Sequence, residues 1–119
     1  SVRLYVATLY FDDGHVKFCG EWPAGHGTEY YRETGHKAYE GHFHMATMDG
    51  NGTSYFDDGQ IKHRGAWKKG LPDGDGTEYF DNGRISYQGG WTNGLADGHG
   101  TAYDRETGNK TYEGQFKEG

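Results

Sequence analysis

The side chains able to hold a metal or move a proton in this 119-residue chain are seven histidines, a single cysteine and eighteen acids. His26 lies in Gly25-His26-Gly27-Thr28, and His42 and His44 flank Phe43. If Gly27 pairs with Gly41 across a hairpin, His26 faces His42 and His44 follows two residues later on the same face. Three imidazoles would then share one patch and offer nitrogen ligands to zinc or copper. The corresponding places elsewhere hold Asn51, then Asp75 with Gly90, then His99 with Gln115. Variable polar surface is therefore the stronger reading, and no metal is assigned. Glu29 and Glu78 recur beside aromatic residues, but no acid pair is set apart as a general acid and base. Cys19 takes a place filled elsewhere by Glu40, Arg64, Gln88 and Glu113, which makes it a surface thiol without a triad. These residues predict no catalytic group, no enzyme activity and no cofactor.

What positions such residues is a repeat. Gly-x-Gly-Thr begins at Gly25, Gly50, Gly74 and Gly98, and each copy carries a tyrosine two residues after the threonine: Tyr30, Tyr55, Tyr79 and Tyr103. Each copy ends on an aromatic residue: Phe43, Trp67, Trp91 and Phe116. A partial copy runs from Ala7-Thr8 through Tyr10 to Trp22. Asp13-Gly14, Asp58-Gly59 and Asn82-Gly83 predict two-residue hairpin loops, while Glu33-Thr34-Gly35 and Glu106-Thr107-Gly108 predict three-residue loops. Folding about Asn82-Gly83 places Phe80 opposite Ile85, Glu78 opposite Tyr87, Gly76 opposite Gly89 and Gly74 opposite Trp91. The same register pairs Gly27 with Gly41, Gly52 with Gly65 and Gly100 with Gly114, and sets Phe43, Trp67 and Phe116 against Gly25, Gly50 and Gly98.

Alternation then puts Trp91, Tyr87, Phe80, Ile85 and the paired glycines on one face, where large rings lie over bare backbone. The tyrosine row, with Tyr10 at its head, falls on the other face, where stacked rings would steady neighbouring strands. Six-residue links, Lys68 to Asp73 and Thr92 to Asp97, join the units. After Trp22 only Pro23-Ala24 precedes Gly25, as if four residues were absent.

Composition agrees with strands and turns. Leu, Ile, Val and Phe number only fifteen, whereas three Trp, ten Tyr and twenty-two Gly are present. No single unit of this size buries enough apolar surface to offset its ordering entropy, so the units must stack. The expectation is an all-β, single-layer, elongated antiparallel meander of about ten strands, roughly 48 Å across at ~4.8 Å per strand. It forms one array over 1–119 with hairpin units at 1–22, 25–43, 50–67, 74–91 and 98–116. The net charge of -6, with both signs interspersed, argues against nucleic acid and anionic lipid as partners. One cysteine and no recognisable signal or membrane segment point to the cytoplasm or another intracellular compartment.

The run Tyr-x-Gly-x-Trp, Asn-Gly-Leu-x-Asp-Gly-x-Gly-Thr-x-Tyr, across Tyr87 to Tyr103, resembles the MORN (membrane occupation and recognition nexus) repeat. Tyr39-Glu40-Gly41 and Tyr112-Glu113-Gly114 resemble its start, and Trp67 and Trp91 its tryptophan. His63 departs from the tyrosine, and Phe43 and Phe116 from the tryptophan. The Tyr-Phe-Asp-Asp-Gly and Tyr-Phe-Asp-Asn-Gly runs are also similar to the bacterial variant in YwqK-type antitoxins. The resemblance implies stacked hairpins with a scaffolding or dimerising role and no enzymatic chemistry.

The function expected is a protein-interaction or scaffolding module within a larger chain or assembly, with Tyr10, Tyr30, Tyr55, Tyr79 and Tyr103 as the partner-facing row. Edge strands offer a route to homo-oligomers. An immunity protein binding a basic toxin, and a glycan- or choline-binding module, are the alternatives.

Overall fold

The computed structural model describes residues 5–118; residues 1–4 of the first expected unit, and residue 119, lie outside the described residues. The described chain forms β1 (Tyr5–Tyr10), β2 (Val16–Trp22), β3 (Gly25–Tyr30), β4 (Lys37–His44), β5 (Thr47–Tyr55), β6 (Ile61–Lys68), β7 (Leu71–Tyr79), β8 (Ile85–Thr92), β9 (Leu95–Tyr103) and β10 (Lys110–Phe116). Each strand pairs antiparallel with the next in a single sheet ordered as the sequence is. The described array measures 44 × 34 × 16 Å, close to the expected span.

The expected glycine register holds: Gly27 pairs with Gly41, Gly52 with Gly65, Gly76 with Gly89 and Gly100 with Gly114. The same glycines also pair between hairpins, Gly20 with Gly27, Gly41 with Gly52, Gly65 with Gly76 and Gly89 with Gly100. The backbones meet closely there. A Cβ on Gly89 would come within 2.5 Å of the Gly100 Cα, so neither partner tolerates a side chain.

The turns depart from expectation. Phe80 N–H donates to the Arg84 carbonyl (2.7 Å), which makes Asp81-Asn82-Gly83 a three-residue loop with Gly83 left-handed at φ 88°. Phe11 with His15 and Phe56 with Gln60 close the same way. The Glu-Thr-Gly loops are four residues long, closed by Tyr31 N–H to the His36 carbonyl and Asp104 N–H to the Asn109 carbonyl. Asx side chains serve these turns by accepting a hydrogen bond two residues on, as when Asn82 Oδ1 takes Arg84 N–H at 3.0 Å and Asp58 Oδ1 takes Gln60 N–H at 3.0 Å.

A bulge beside each loop absorbs the extra residue: Glu78 pairs with Tyr87 but Tyr79 with Ile85, leaving Ser86 unpaired. Ile85 therefore sits beside Tyr79, not opposite Phe80 and not on the tryptophan face as alternation alone requires. The two-residue loops occur instead inside the expected links. Met45-Ala46, Lys69-Gly70 and Asn93-Gly94 each carry two positive φ values, the geometry that suits strand twist. Their flanks are strand, so β5, β7 and β9 begin three residues before the expected units. Neighbouring turns are stitched together: Ala46 N–H donates to the Pro23 carbonyl, Gly70 N–H to Met48 and Gly94 N–H to Pro72, at 2.8–2.9 Å. Between β2 and β3 the chain passes directly through Pro23-Ala24.

Candidate interaction surfaces

The core of the sheet is a ladder of aromatic rings in edge-to-face contact. It runs Trp22, Phe18, Phe43, Tyr39, Trp67, His63, Trp91, Tyr87, Phe116 and Tyr112, with successive centroids 4.8–5.4 Å apart. Every rung comes from an even-numbered strand, because residues two and four apart on a strand share a face and the middle one is glycine. Edge-to-face pairs contribute about 0.5–1.5 kcal/mol each beyond the area they bury.

Of the rings expected over glycine, Tyr87 lies where expected but the terminal aromatics do not. A Cβ on Gly52 would overlap the Tyr39 phenol, one on Gly100 the Tyr87 phenol and one on Gly27 the Phe18 ring, while Gly98, opposite Phe116, has nothing within 4 Å. The ring four residues before the terminal aromatic lies across the neighbouring hairpin's middle glycine. The tryptophans instead direct their indoles at backbone: Trp67 Nε1 donates to the Gly52 carbonyl at 3.0 Å and Trp91 Nε1 to the Gly76 carbonyl at 3.2 Å. Phenols return to their own strands, Tyr39 to the His42 carbonyl, Tyr87 to Gly90 and Tyr112 to Gln115. Burial raises the pKa of Tyr39 and Tyr87, with the nearby carboxylates of Glu29 and Asp49 adding at Tyr39 and that of Asp97 at Tyr87. Phe18, Tyr39, Phe43, Trp67, Tyr87 and Trp91 are buried, whereas Trp22 at one end of the ladder and Phe116 near the other are half-buried and the last rung, Tyr112, is exposed. The role of Phe18, Tyr39, His63 and Tyr87 as alternate rungs was not recognised from sequence; their constant spacing of four before the terminal aromatic is the signal that marks them.

A groove of about 420 Å³ crosses this face, lined by Tyr31, Tyr39, Met48, Ser54, His63, Trp67, Pro72 and Trp91, with Glu29, Lys62 and Glu78 among them. Burial raises the Glu29 pKa, opposed by the positive charge of Lys17.

The opposite face carries the threonine and tyrosine rows. Tyr10 is exposed; Tyr30, Tyr55, Tyr79 and Tyr103 are half-buried. They do not stack on one another, because each sits on an odd-numbered strand with an even strand between. Their cross-strand partners are Val16, Lys37, Ile61, Ile85 and Lys110. Tyr55 Oη donates to Glu40 Oε1 at 3.4 Å. Tyr30 borders an open hollow of about 530 Å³ with Val16 and Cys19.

His26 and His42 are opposite one another as expected, with ring centroids 5.8 Å apart. His44 pairs with Thr47. Among the described residues, no three His, Cys, Asp or Glu side chains converge as a metal site would require. Cys19 is exposed.

Comparison with known proteins adds a family. The MORN repeat model matches residues 39–61, 63–83, 87–105 and 112–119. No curated protein matches the chain significantly. The matched repeats coincide with the ladder from Tyr39 onward, and they do not single out the antitoxin variant. Repeats of this kind are generally modules of protein or membrane interaction. With glycine-paired hairpins, rings four residues apart and a family match over most of its length, the chain belongs to the MORN repeat family.

Proposed function

We propose that this chain is a non-catalytic scaffolding array that holds a protein partner or another subunit of an assembly. The observation that carries this reading is the division of labour between faces. One face is committed to the ring ladder, while the other presents Tyr30, Tyr55, Tyr79 and Tyr103 half-exposed on alternate strands, about 9.6 Å apart. Half-exposed phenols on an ordered sheet lose little conformational freedom on binding and supply both apolar area and a hydrogen-bonding tip. The net charge of -6 favours a neutral or basic protein over nucleic acid or anionic lipid. The exposed Cys19 thiol suits a reducing, intracellular setting.

Affinity purification from the native source, with wild type beside a Tyr30→Ser/Tyr55→Ser/Tyr79→Ser variant, tests the proposal. Circular dichroism serves as the control for folding. A reproducible protein partner lost in the folded variant supports it; no partner, or undiminished capture by the variant, overturns it.

A further inference from the structure

His63 occupies the rung that Tyr39 and Tyr87 hold in neighbouring hairpins. Its ring stands edge-to-face with Trp67 at 5.2 Å and Trp91 at 4.8 Å, and the residue is 4% exposed. The two tyrosines end in hydroxyls that donate to the carbonyl three residues on. Imidazole is shorter. Its Nε2 lies against Gly76, where a Cβ would come within 2.6 Å, and neither ring nitrogen has a hydrogen-bond partner. Such a ring is tolerated between two indoles while neutral; a second N–H and a full charge would both be left without a partner.

The neighbouring polar groups are already engaged or point elsewhere. Across the strand pairs lie Ser54 on β5 and Glu78 on β7. Ser54 Oγ donates to the His63 carbonyl at 3.5 Å, and Glu78 Oε1 accepts from Ser86 Oγ at 3.2 Å. Lys62, next on the same strand, holds its ammonium 5.9 Å from the Phe56 ring centre. From β3 and β4, Glu29 and the Tyr39 phenol border the same groove. None of them bonds the imidazole.

We propose that His63 makes the seam between hairpins β5–β6 and β7–β8 an acid-sensitive joint, where uptake of one proton parts Trp67 from Trp91 while the other seams hold. Burial lowers the His63 pKa from its ordinary 6.5 to about 4. The opened state therefore binds the proton more readily throughout that interval. The seam is at full strength above pH 6.5, weakens as pH falls toward 4, and changes no further below. Between pH 7.5 and 4.5 the opening constant rises roughly 50- to 100-fold from this residue alone.

The test compares wild type with His63→Phe, which keeps a ring but cannot titrate, and with His63→Tyr, which restores the hydroxyl. Urea titrations at pH 7.5 and 4.5 give unfolding constants, and amide-exchange protection factors locate the opening. Wild type is expected to show the 50- to 100-fold excess over both variants, with protection lost first in β6 and β7. Equal pH dependence in wild type and variants, or protection lost evenly at every seam, overturns the proposal. Should His63→Phe fail to fold, the His63→Tyr comparison decides the matter.

Discussion

Gly52 and Gly98 sit in equivalent strands, yet their missing side chains answer different needs. A Cβ on Gly52 would overlap the phenol of Tyr39, a ring that is 1% exposed and has nowhere to go. Gly98 has open space around its Cα and is required only by its φ of 87°. Gly52→Ala is therefore expected to destabilise by about 2–3 kcal/mol through overpacking, and Gly98→Ala by only about 1 kcal/mol through backbone strain. Urea denaturation of the two variants measures the difference, and equal losses would show that ring-over-glycine contact is not what selects these residues. A different contact fixes the inter-hairpin partners Gly41, Gly65 and Gly89, where a Cβ would meet the facing backbone and no rotamer can relieve the overlap.

At the scale of the element, the informative contrast is between the two kinds of turn. Asn93-Gly94 has the residue types its left-handed geometry favours, whereas Met45-Ala46 adopts φ values of 50° and 66° with side chains that resist them. The strain persists because Ala46 N–H is held by the Pro23 carbonyl of the preceding connection at 2.8 Å. Replacing Met45→Asn and Ala46→Gly together is expected to stabilise the protein by about 1–2 kcal/mol, read as a raised melting temperature. No gain would mean that the 65%-exposed Met45 makes a contribution that geometry does not reveal. At the opposite end of the hairpins, Tyr31 Oη reaches the Tyr55 carbonyl at 2.6 Å and Asn82 Nδ2 the Arg105 carbonyl at 3.0 Å, so adjacent loops are coupled as well.

Along the described array, stability runs with the ladder, since its ring-to-ring contacts link each rung to the rungs beside it. A rung's contribution therefore depends on its position. Tyr39 is buried between Phe43 and Trp67, while Tyr112 is 48% exposed and contacts Phe116. Tyr39→Ala should cost about 3–5 kcal/mol and Tyr112→Ala about 1 kcal/mol, by chemical denaturation monitored through tryptophan fluorescence. Comparable costs at both positions would require a core organised otherwise than as a line. The loss at Tyr39 should also spread to both flanking seams, which amide exchange can locate.

The repeat period, the strand order and the glycine register were legible in the residues, because a glycine facing a glycine and an aromatic residue two positions on leave few alternatives that bury the same surface. The loop lengths were not, since Asp-Gly and Asn-Gly suit both a two-residue turn and a three-residue turn with a left-handed glycine. Only the bulge at Ser86 and its counterparts decided between them, and with that the face on which Ile85 lies. Equally invisible was the reach of each ring across an entire neighbouring strand to the next rung, a contact set by how closely glycine backbones approach in three dimensions. The isolation of His63 follows from the same cause: sequence marks it as a departure from tyrosine, but only packing between Trp67 and Trp91 leaves both its nitrogens without a partner.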